Sequence, residues 1–260
     1  MNLSKELLER GLEVMLAETA FSGIGQLQKG KVRDSYQKEN RRTIVVTDRV
    51  SAFDVVLGTV PFKGQVLNGL SNFWFEETGH LVPNHLLETP DPVVTVVEQC
   101  QVIPVEMVVR AYLTGSSPTS IWTHYNKGER VYCGHRLREG LKKHEALEKS
   151  IITPTTKASH GDHDTPISAQ EIVNQEICTA EEFDQMSELC LKLFDFGSKV
   201  ALKRGLVLVD TKYELGRRTD GTLVFVDEIH TPDSSRYWYS DSYEQSLREG
   251  KDPRALDKEF

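Results

Sequence analysis

The stretch LVLVDTKYELGRRTDGTLVFVDEIH, residues 206–230, carries the clearest structural signal in the chain. Two runs rich in apolar and β-branched residues flank Asp220-Gly221, a dipeptide favoured in the two-residue type I′ turn of a β-hairpin. In that turn Thr219 pairs with Thr222, and the partner of every other strand residue follows. The sequence therefore predicts an antiparallel hairpin with a defined set of facing residues.

The predicted hairpin brings acidic side chains together. Its register places Glu214 directly opposite Asp227, and the alternation of side chains puts Asp210 and Lys212 on the same face as Glu214. Facing carboxylates destabilise a sheet unless a positive charge neutralises them. A Mg²⁺ ion shared with nucleotide phosphates would do so, whereas in a surface hairpin water and Lys212 would suffice. The opposite face is expected to be apolar and to consist of Tyr213, Leu215, Val224 and Val226.

The elements before the hairpin indicate the fold class. Thr179 and Glu182 have the spacing of a capping box at the start of a long helix, and Gly205 stands where that helix would stop. Periodicity predicts further helices over 3–17 and 66–77, and strands over 30–60, 93–97 and 102–113. Strands followed by a long helix and a hairpin predict an α+β protein.

Composition excludes several classes of function. The 260 residues include 31 basic and 39 acidic ones, for a net charge of −8. Such a chain is a poor non-specific binder of nucleic acids or anionic membranes, and no apolar run approaches the ~20 residues that span a bilayer. The charged start MNLSKELLER does not resemble a signal peptide. The four cysteines form no CxxC pair, which favours reduced thiols of a cytoplasmic protein over disulfides or structural zinc.

Three basic stretches are candidate anion sites. In GKVRDSY (30–36), Lys31 and Arg33 would share one face of a strand that begins after Gly30, which suits contact with phosphate oxygens. In VEMVVRAYLTGSS (105–117), Arg110 leads into a Gly-Ser turn, and TPDSSRYW (231–238) contains Arg236. Solvated strand faces and an ordinary loop are the alternative interpretations.

The stretch SHGDHD (159–164) could form a metal cluster, although a polar loop is poor scaffolding for one. Neither a Walker loop, a GxGxxG fingerprint nor a nucleophile elbow occurs in the sequence.

Seven segments, taken in order, resemble the SAICAR synthetase family (phosphoribosylaminoimidazole-succinocarboxamide synthases) over about residues 25–255. They are GKVRD (30–34), TDRVSAFD (47–54), PFKGQVLN (61–68), PVEMVVRAYLTGS (104–116), ITPTTKA (152–158), GLVLVDTKYELG (205–216) and VDEIHTPDSSRYW (226–238). The resemblance implies a two-lobed α+β fold similar to ATP-grasp enzymes, with an ATP cleft between the lobes. Residues 1–105 would form a mostly β lobe on the ATP-phosphate side, and 106–260 an α+β lobe with the substrate and metal site.

The resemblance also implies a reaction. ATP, L-aspartate and carboxyaminoimidazole ribonucleotide (CAIR) would give SAICAR, ADP and phosphate through an acyl phosphate, with Mg²⁺ as cofactor. The expected partners are these small molecules and, as one option, further copies of the chain.

Roles follow for the residues that match the family's motifs. The implied Mg²⁺ ligands are Glu214 and Asp227, and the implied catalytic residues are Lys212 and Asp210. The implied contacts of ATP are Lys31, Arg33, Lys212 and, at the interlobe hinge, Glu106. The implied substrate contacts are Arg110, Ser116, Asp210 and Arg236, with Asp48, Ser51 and Lys63 helping to complete the pocket.

Two departures from the family pattern and two alternative functions accompany the resemblance. Arg33 stands where some relatives have lysine, which keeps the charge and changes the geometry. The sequence stops at Phe260, where relatives usually continue. A small-molecule kinase would share the metal site and could use Asp210 as its base, and a non-catalytic nucleotide-binding module would bind ATP without turnover.

Overall fold

Antiparallel strand pairing organises the chain on both sides of a boundary between Gln101 and Val102. The computed structural model describes residues 4–52, 55–157 and 164–256. It divides into two compact units, Met1–Gln101 and Val102–Phe260, a division that falls shortly before the one expected at Val105. No helix in the described ranges is long and apolar enough to cross a membrane.

The elements of the first unit are α1 (Lys5–Glu13), β1 (Gln26–Lys29), β2 (Arg33–Lys38), β3 (Arg41–Val46), β4 (Arg49–Ala52), β5 (Val55–Thr59), α2 (Lys63–Thr78), β6 (Leu86–Asp91) and β7 (Val94–Glu98). The unit is built on a five-stranded sheet in the order β1-β2-β3-β7-β6, with a separate β4-β5 pair. Lys38 pairs with Arg41, so a two-residue turn joins β2 to β3, and Glu39 adopts the positive φ of 54° that such a turn needs.

The elements of the second unit are β8 (Gln101–Tyr112), α3 (Ile121–Asn126), β9 (Val131–Tyr132), β10 (His135–Arg136), β11 (Ala146–Ile152), β12 (Thr155–Thr156), α4 (Ala169–Asn174), α5 (Ala180–Lys203), β13 (Leu206–Arg217), β14 (Leu223–Val226), β15 (Ser235–Tyr239) and α6 (Ser240–Glu249). The unit is built on a six-stranded sheet. Its main order is β11-β8-β13-β14, with β12 also pairing β8 and β15 also pairing β13.

The long helix α5 confirms the sequence signals that predicted it. Thr179 and Glu182 form the expected capping box, and Gly205 follows the helix with a φ of +76°. One face of α5 is buried, and the helix packs against β13. Gly197 lies on that face, where an added Cβ would come within 2.1 Å of the His230 ring. Glycine at this position therefore lets helix and sheet approach closely.

The predicted register of the β13-β14 hairpin is wrong by one residue. Gly221 has a φ of +87°, its N–H donates to the Arg218 carbonyl at 3.0 Å, and the Arg218 N–H donates to the Thr222 carbonyl at 2.9 Å. The connection is thus a three-residue loop whose glycine lies in the left-handed region, not a type I′ turn. The extra loop residue shifts every pair, and Glu214 faces Val226 instead of Asp227.

The shift also changes which side chains cover the apolar face. Phe225 pairs with Leu215, and its ring makes an edge contact with Tyr213 at 5.3 Å between centroids. Val224 and Val226, expected on this face, lie on the other one.

Other predicted boundaries differ less. The first helix is shorter than expected and α2 is longer. The strand β2 begins at Arg33, so Lys31 lies in the bend that precedes it and does not share a strand face with Arg33.

Candidate active site

Two arginines share one buried carboxylate on the sheet of the second unit. Asp210 on β13 lies directly opposite Arg236 on β15, and its Oδ1 accepts from Arg236 Nε at 3.0 Å. Its Oδ2 accepts from Arg110 Nη1 at 2.8 Å, and Arg110 Nε donates to Thr153 Oγ1 at 2.9 Å. One carboxylate cannot neutralise two guanidinium groups, so the trio keeps a net positive charge in a largely buried place. Such a site suits a phosphate or carboxylate group.

The same trio lines a pocket of about 170 Å³. Lys212 adds a further positive charge to the pocket wall, and Asp233 adds a negative one. The other residues along the wall include the hydroxyl-bearing Thr211, Ser234 and Ser235. The pocket therefore combines cations with hydroxyl groups that can bind an anion.

Gly115 explains how the turn after β8 approaches this pocket. Its φ is +106°, and an added Cβ would lie 2.5 Å from Ser120 Cβ and 3.3 Å from Arg236 Nη1. Only glycine meets both demands. The turn thus passes beside the Arg236 guanidinium, and the next residue, Ser116, is exposed.

A second charged cluster lies on β13, two residues beyond Asp210. Lys212 Nζ donates to Glu106 Oε1 at 2.7 Å and to Glu214 Oε1 at 3.2 Å. Lys157 Nζ donates to Glu214 Oε2 at 2.7 Å, and Thr155 Oγ1 donates to Glu106 Oε2 at 2.9 Å. The structure therefore joins Glu106, expected at an interlobe hinge, to Lys212 through its side chain.

The carboxylates keep Lys212 charged. Burial alone would lower the pKa of Lys212, but the negative charges of Glu214, Glu106 and Asp227 outweigh burial and raise the pKa well above its ordinary value. Lys212 is thus a permanent cation, suited to neutralise phosphate oxygens and unsuited to act as a base. Asp227 lies just beyond the end of β14 with a φ of +66°, and it contributes to this field although it does not face Glu214.

The acidic residues around Lys212 fit a hard cation that also binds phosphate. Both oxygens of Glu214 already hold ammonium groups, so the site accommodates positive charge, and carboxylate oxygens are the ligands that Mg²⁺ prefers. Within the described ranges no three His, Cys, Asp or Glu residues form a metal-binding group, so oxygens of water or substrate would complete the coordination. Most of the SHGDHD stretch, including His160, Asp162 and His163, lies outside the described residues.

In the first unit, Asp48 has a structural task. Its Oδ1 accepts from the Gly64 N–H near the start of α2, and its Oδ2 accepts from the Leu16 N–H, both at 2.9 Å. The carboxylate therefore stabilises the first turn of α2, as acidic groups do at helix N-termini. The other candidates nearby are Ser51, on β4 opposite Val56, and Lys63, the first residue of α2.

Arg49 holds the bend that contains Lys31. Its guanidinium donates to the carbonyls of Lys31 and Gly30 at 2.9 Å each and to Asp34 Oδ1 at 2.9 Å. Burial alone would raise the pKa of Asp34, but hydrogen bonds from Arg49 and Thr19 leave it below its ordinary value. Lys31 is exposed, and the backbone that carries it is fixed by this buried ion pair. Arg33 follows at the first position of β2, opposite Val46.

Three residues of these clusters, Arg49, Thr153 and Lys157, have no role that the sequence motifs predict individually. Arg49 and Lys157 lie in the stretches TDRVSAFD and ITPTTKA, which match the family as segments. Thr153 lies in ITPTTKA as well. For Arg49 and Lys157 the signal is a charged residue within a stretch that matches a family motif, whereas the uncharged Thr153 carries no such signal.

The fold and these two clusters define a class of protein: an α+β protein whose second unit carries a largely buried cationic site of the kind that suits acidic ligands. A family model described as SAICAR synthetase matches residues 26–260. The chain belongs to the SAICAR synthetase family, whose members are ligases of purine biosynthesis.

Curated relatives support the same assignment. The chain is 51% identical over 245 residues to a phosphoribosylaminoimidazole-succinocarboxamide synthase of Legionella pneumophila strain Paris, covering 94% of this chain and 78% of that protein. It is 52% identical over 238 residues to the chloroplastic synthase of Arabidopsis thaliana, covering 92% of this chain and 57% of that protein. The chain thus spans somewhat more than half of the plant relative.

Solved structures show the same fold. A SAICAR synthase of Saccharomyces cerevisiae, solved as a complex with SAICAR, has a TM-score of 0.76 and 30% identity, covering 90% of this chain and 86% of that one. A SAICAR synthetase described as type 2 and solved with ADP has a TM-score of 0.70 and 22% identity, covering 87% and 92%. The α+β class predicted from the sequence is therefore confirmed.

Proposed function

We propose that this chain joins L-aspartate to the carboxylate of CAIR, with ATP as co-substrate, and releases SAICAR, ADP and phosphate. Family membership supports the proposal. The observation that carries it is the Asp210 carboxylate shared by Arg110 and Arg236, with Lys212 two residues along the same strand. Strand β13 therefore carries, two residues apart, Asp210 of the site for an acidic substrate and Lys212 of the site for phosphate.

The chemistry explains why both sites are needed. An amine does not displace oxide from a carboxylate, so the CAIR carboxylate must first receive the γ-phosphoryl group of ATP. The aspartate amine then attacks the acyl carbon, and phosphate leaves. In such reactions the protein contributes positioning and charge stabilisation rather than a covalent nucleophile.

We assign the second unit's residues to this scheme. Arg110, Arg236 and Ser116 bind the acidic groups of CAIR, and Asp210 orients both arginines. Because each Asp210 oxygen holds a guanidinium, we treat Asp210 as a positioning residue and not as a proton acceptor. Lys212 neutralises charge on the transferring phosphoryl group.

Mg²⁺ fits this scheme as the family's expected cofactor. Glu214 and Asp227 would hold it, and the ion would neutralise phosphate charge when bound. Lys157, whose side chain is about half exposed at 47%, has room to move away from Glu214 as the ion binds.

In the first unit we assign ATP-phosphate contacts to Lys31 and Arg33. We assign Lys63 and Ser51 to contacts with the substrates, and Asp48 supports Lys63 by holding the start of α2. Glu106 contacts ATP through its backbone, because its carboxylate is engaged with Lys212 and Thr155.

The described cysteines fit the expected cellular location. All four cysteines of the chain are among the described residues, and none forms a disulfide. We propose a cytoplasmic enzyme, because thiols persist in a reducing compartment. A homo-oligomer is a further expectation, which light scattering measures directly.

The decisive experiment measures ADP release from ATP, Mg²⁺ and CAIR with and without L-aspartate. We expect ADP release to depend on aspartate and to be matched by SAICAR formation. ADP release indifferent to aspartate would indicate the alternative small-molecule kinase, for which Asp210 would have to lose one arginine to act as base. ATP binding without turnover would indicate the non-catalytic module.

A further inference from the structure

A hydrogen-bonded network of three side chains connects the turn beside Arg236 to the segment that follows α6. Thr114 Oγ1 lies 2.9 Å from His144 Nδ1, and His144 Nε2 lies 2.6 Å from Asp252 Oδ1. A carboxylate only accepts hydrogen bonds, so His144 Nε2 donates to Asp252. In a neutral imidazole Nδ1 then accepts from the Thr114 hydroxyl.

His144, the middle residue of this network, is held by several contacts. The His144 N–H donates to the Leu113 carbonyl at 2.7 Å, the His144 carbonyl accepts from Tyr243 Oη at 2.9 Å, and the ring makes an edge contact with Trp238. Burial lowers the pKa of His144 and outweighs the opposing effect of Asp252. The imidazole is therefore neutral at pH 7, which matches the hydrogen-bond pattern above.

Of the three residues in the network, only Asp252 is largely exposed to solvent. The Asp252 side chain is 75% exposed, whereas that of His144 is 10% exposed. Asp252 Oδ1 also accepts from Lys143 Nζ at 2.7 Å. The exposed carboxylate thus ties the segment after α6 to a buried network.

The buried end of the network adjoins the proposed substrate site. Thr114 directly precedes Gly115, whose backbone fits closely between Ser120 and the Arg236 guanidinium. Because Thr114 is bonded directly to Gly115, the hydrogen bond from its hydroxyl to His144 restrains the start of the Gly115–Ser116 turn. Misplacement of binding groups by about 1 Å is enough to lower rates by orders of magnitude.

We propose that Thr114, His144 and Asp252 form a positioning network that holds the Gly115–Ser116 turn in the conformation that receives the acidic group of the substrate beside Arg236. The inference rests on the proposed function, which assigns that group to CAIR. The three residues touch no reacting atom. They act through the turn.

The test compares the Asp252→Ala variant of the whole 260-residue chain with the wild type. Asp195→Ala is the matched control, because Asp195 is an exposed acid with a salt bridge to Lys199 on α5. We expect faster hydrogen exchange of the amides of residues 113–117 in Asp252→Ala alone. We also expect a rise of about tenfold in KM for CAIR, with KM for ATP and kcat within about twofold of the wild type.

A conservative variant separates positioning from simple destabilisation. Asp252→Asn keeps an oxygen that accepts from His144, so it should restore most of the affinity for CAIR. Unchanged exchange at residues 113–117 would overturn the proposal, and so would equal increases in both KM values. If the wild type itself does not use CAIR, the proposed function fails, and the exchange data alone decide whether the network holds the turn.

Discussion

Asp210 and Arg236 face each other across β13 and β15, and the Asp210 Oδ1 accepts from Arg236 Nε at 3.0 Å. This bond uses one edge of the guanidinium, and another nitrogen, Nη1, lies beside the Gly115 turn. We expect Arg236→Ala to raise KM for CAIR about 100-fold, because the variant loses one charge-assisted hydrogen bond to the substrate and the geometry that the guanidinium gives it. KM for ATP should change far less. Steady-state kinetics with each substrate varied in turn measure the difference.

Arg248→Ala is the control for that variant. Arg248 is an exposed arginine on α6 that contacts the Glu244 carbonyl at 3.2 Å, so its loss should leave both KM values unchanged. Equal effects of Arg236→Ala on CAIR and ATP would remove Arg236 from the substrate site.

Asp227 provides the test of the cation site. We expect Asp227→Asn to lower kcat at least about 100-fold while the protein stays folded, because the amide keeps the shape and loses the charge that binds Mg²⁺. Mg²⁺ titrations of activity, with circular dichroism as a check of folding, measure this. Asp220→Asn on the same hairpin is the control, since Asp220 is exposed and its oxygen binds the Thr222 N–H. Near-normal activity of Asp227→Asn at saturating Mg²⁺ would contradict the assignment.

The hairpin shows what sequence could and could not predict. Alternation correctly placed Lys212 and Glu214 on one face, where they form a salt bridge. The pairing with Asp227 failed because Asp-Gly occurs in both two-residue and three-residue loops, and the choice between them shifts the register by one. The negative charge of Asp227 nevertheless helps to raise the pKa of Lys212. Asp227 acts from just beyond the end of β14, at Val226, and not from a position paired with Glu214.

The shared carboxylate at Asp210 was less accessible to sequence analysis. The family resemblance implies that Arg110, Asp210 and Arg236 belong to one substrate site, but it does not specify the shared carboxylate, and Arg110 and Asp210 are 100 positions apart. Only strand order brings them together, and local patterns do not specify strand order. The same limit applies to His144 and Asp252, whose contact depends on the path of the chain after α6.

The packing of α5 on the sheet predicts a stability difference between two helical glycines. Gly197→Ala would place a methyl group 2.1 Å from the His230 ring, and we expect it to lower the free energy of unfolding by about 1–3 kcal/mol. Gly69 on α2 has no atom within 4 Å of an added Cβ, so Gly69→Ala should raise the free energy of unfolding by about 0.5–1 kcal/mol. Urea denaturation of both variants measures the contrast. Equal effects would mean that His230 moves aside without cost.

The buried pair of Asp34 and Arg49 predicts a specific dependence on pH. Asp34 is fully buried and Arg49 is 11% exposed, and removal of one partner from such a pair leaves an uncompensated charge. Asp34→Asn should therefore lower the free energy of unfolding by about 3 kcal/mol at pH 7. The folded pKa of Asp34 lies below its ordinary value of 3.8, so the carboxylate's contribution is complete above that value and is lost as the pH falls through the folded pKa.

The difference between wild type and Asp34→Asn should accordingly stay constant from about pH 7 to pH 5 and shrink only in stronger acid. Urea denaturation across that range measures it. Asp91→Asn, in the same unit, removes an exposed carboxylate that accepts from the Val93 N–H, and it should have little effect at any pH. A difference that changed already between pH 7 and pH 5 would mean that another group titrates with the pair, since Asp34 cannot gain a proton there while Arg49 and Thr19 hold its oxygens.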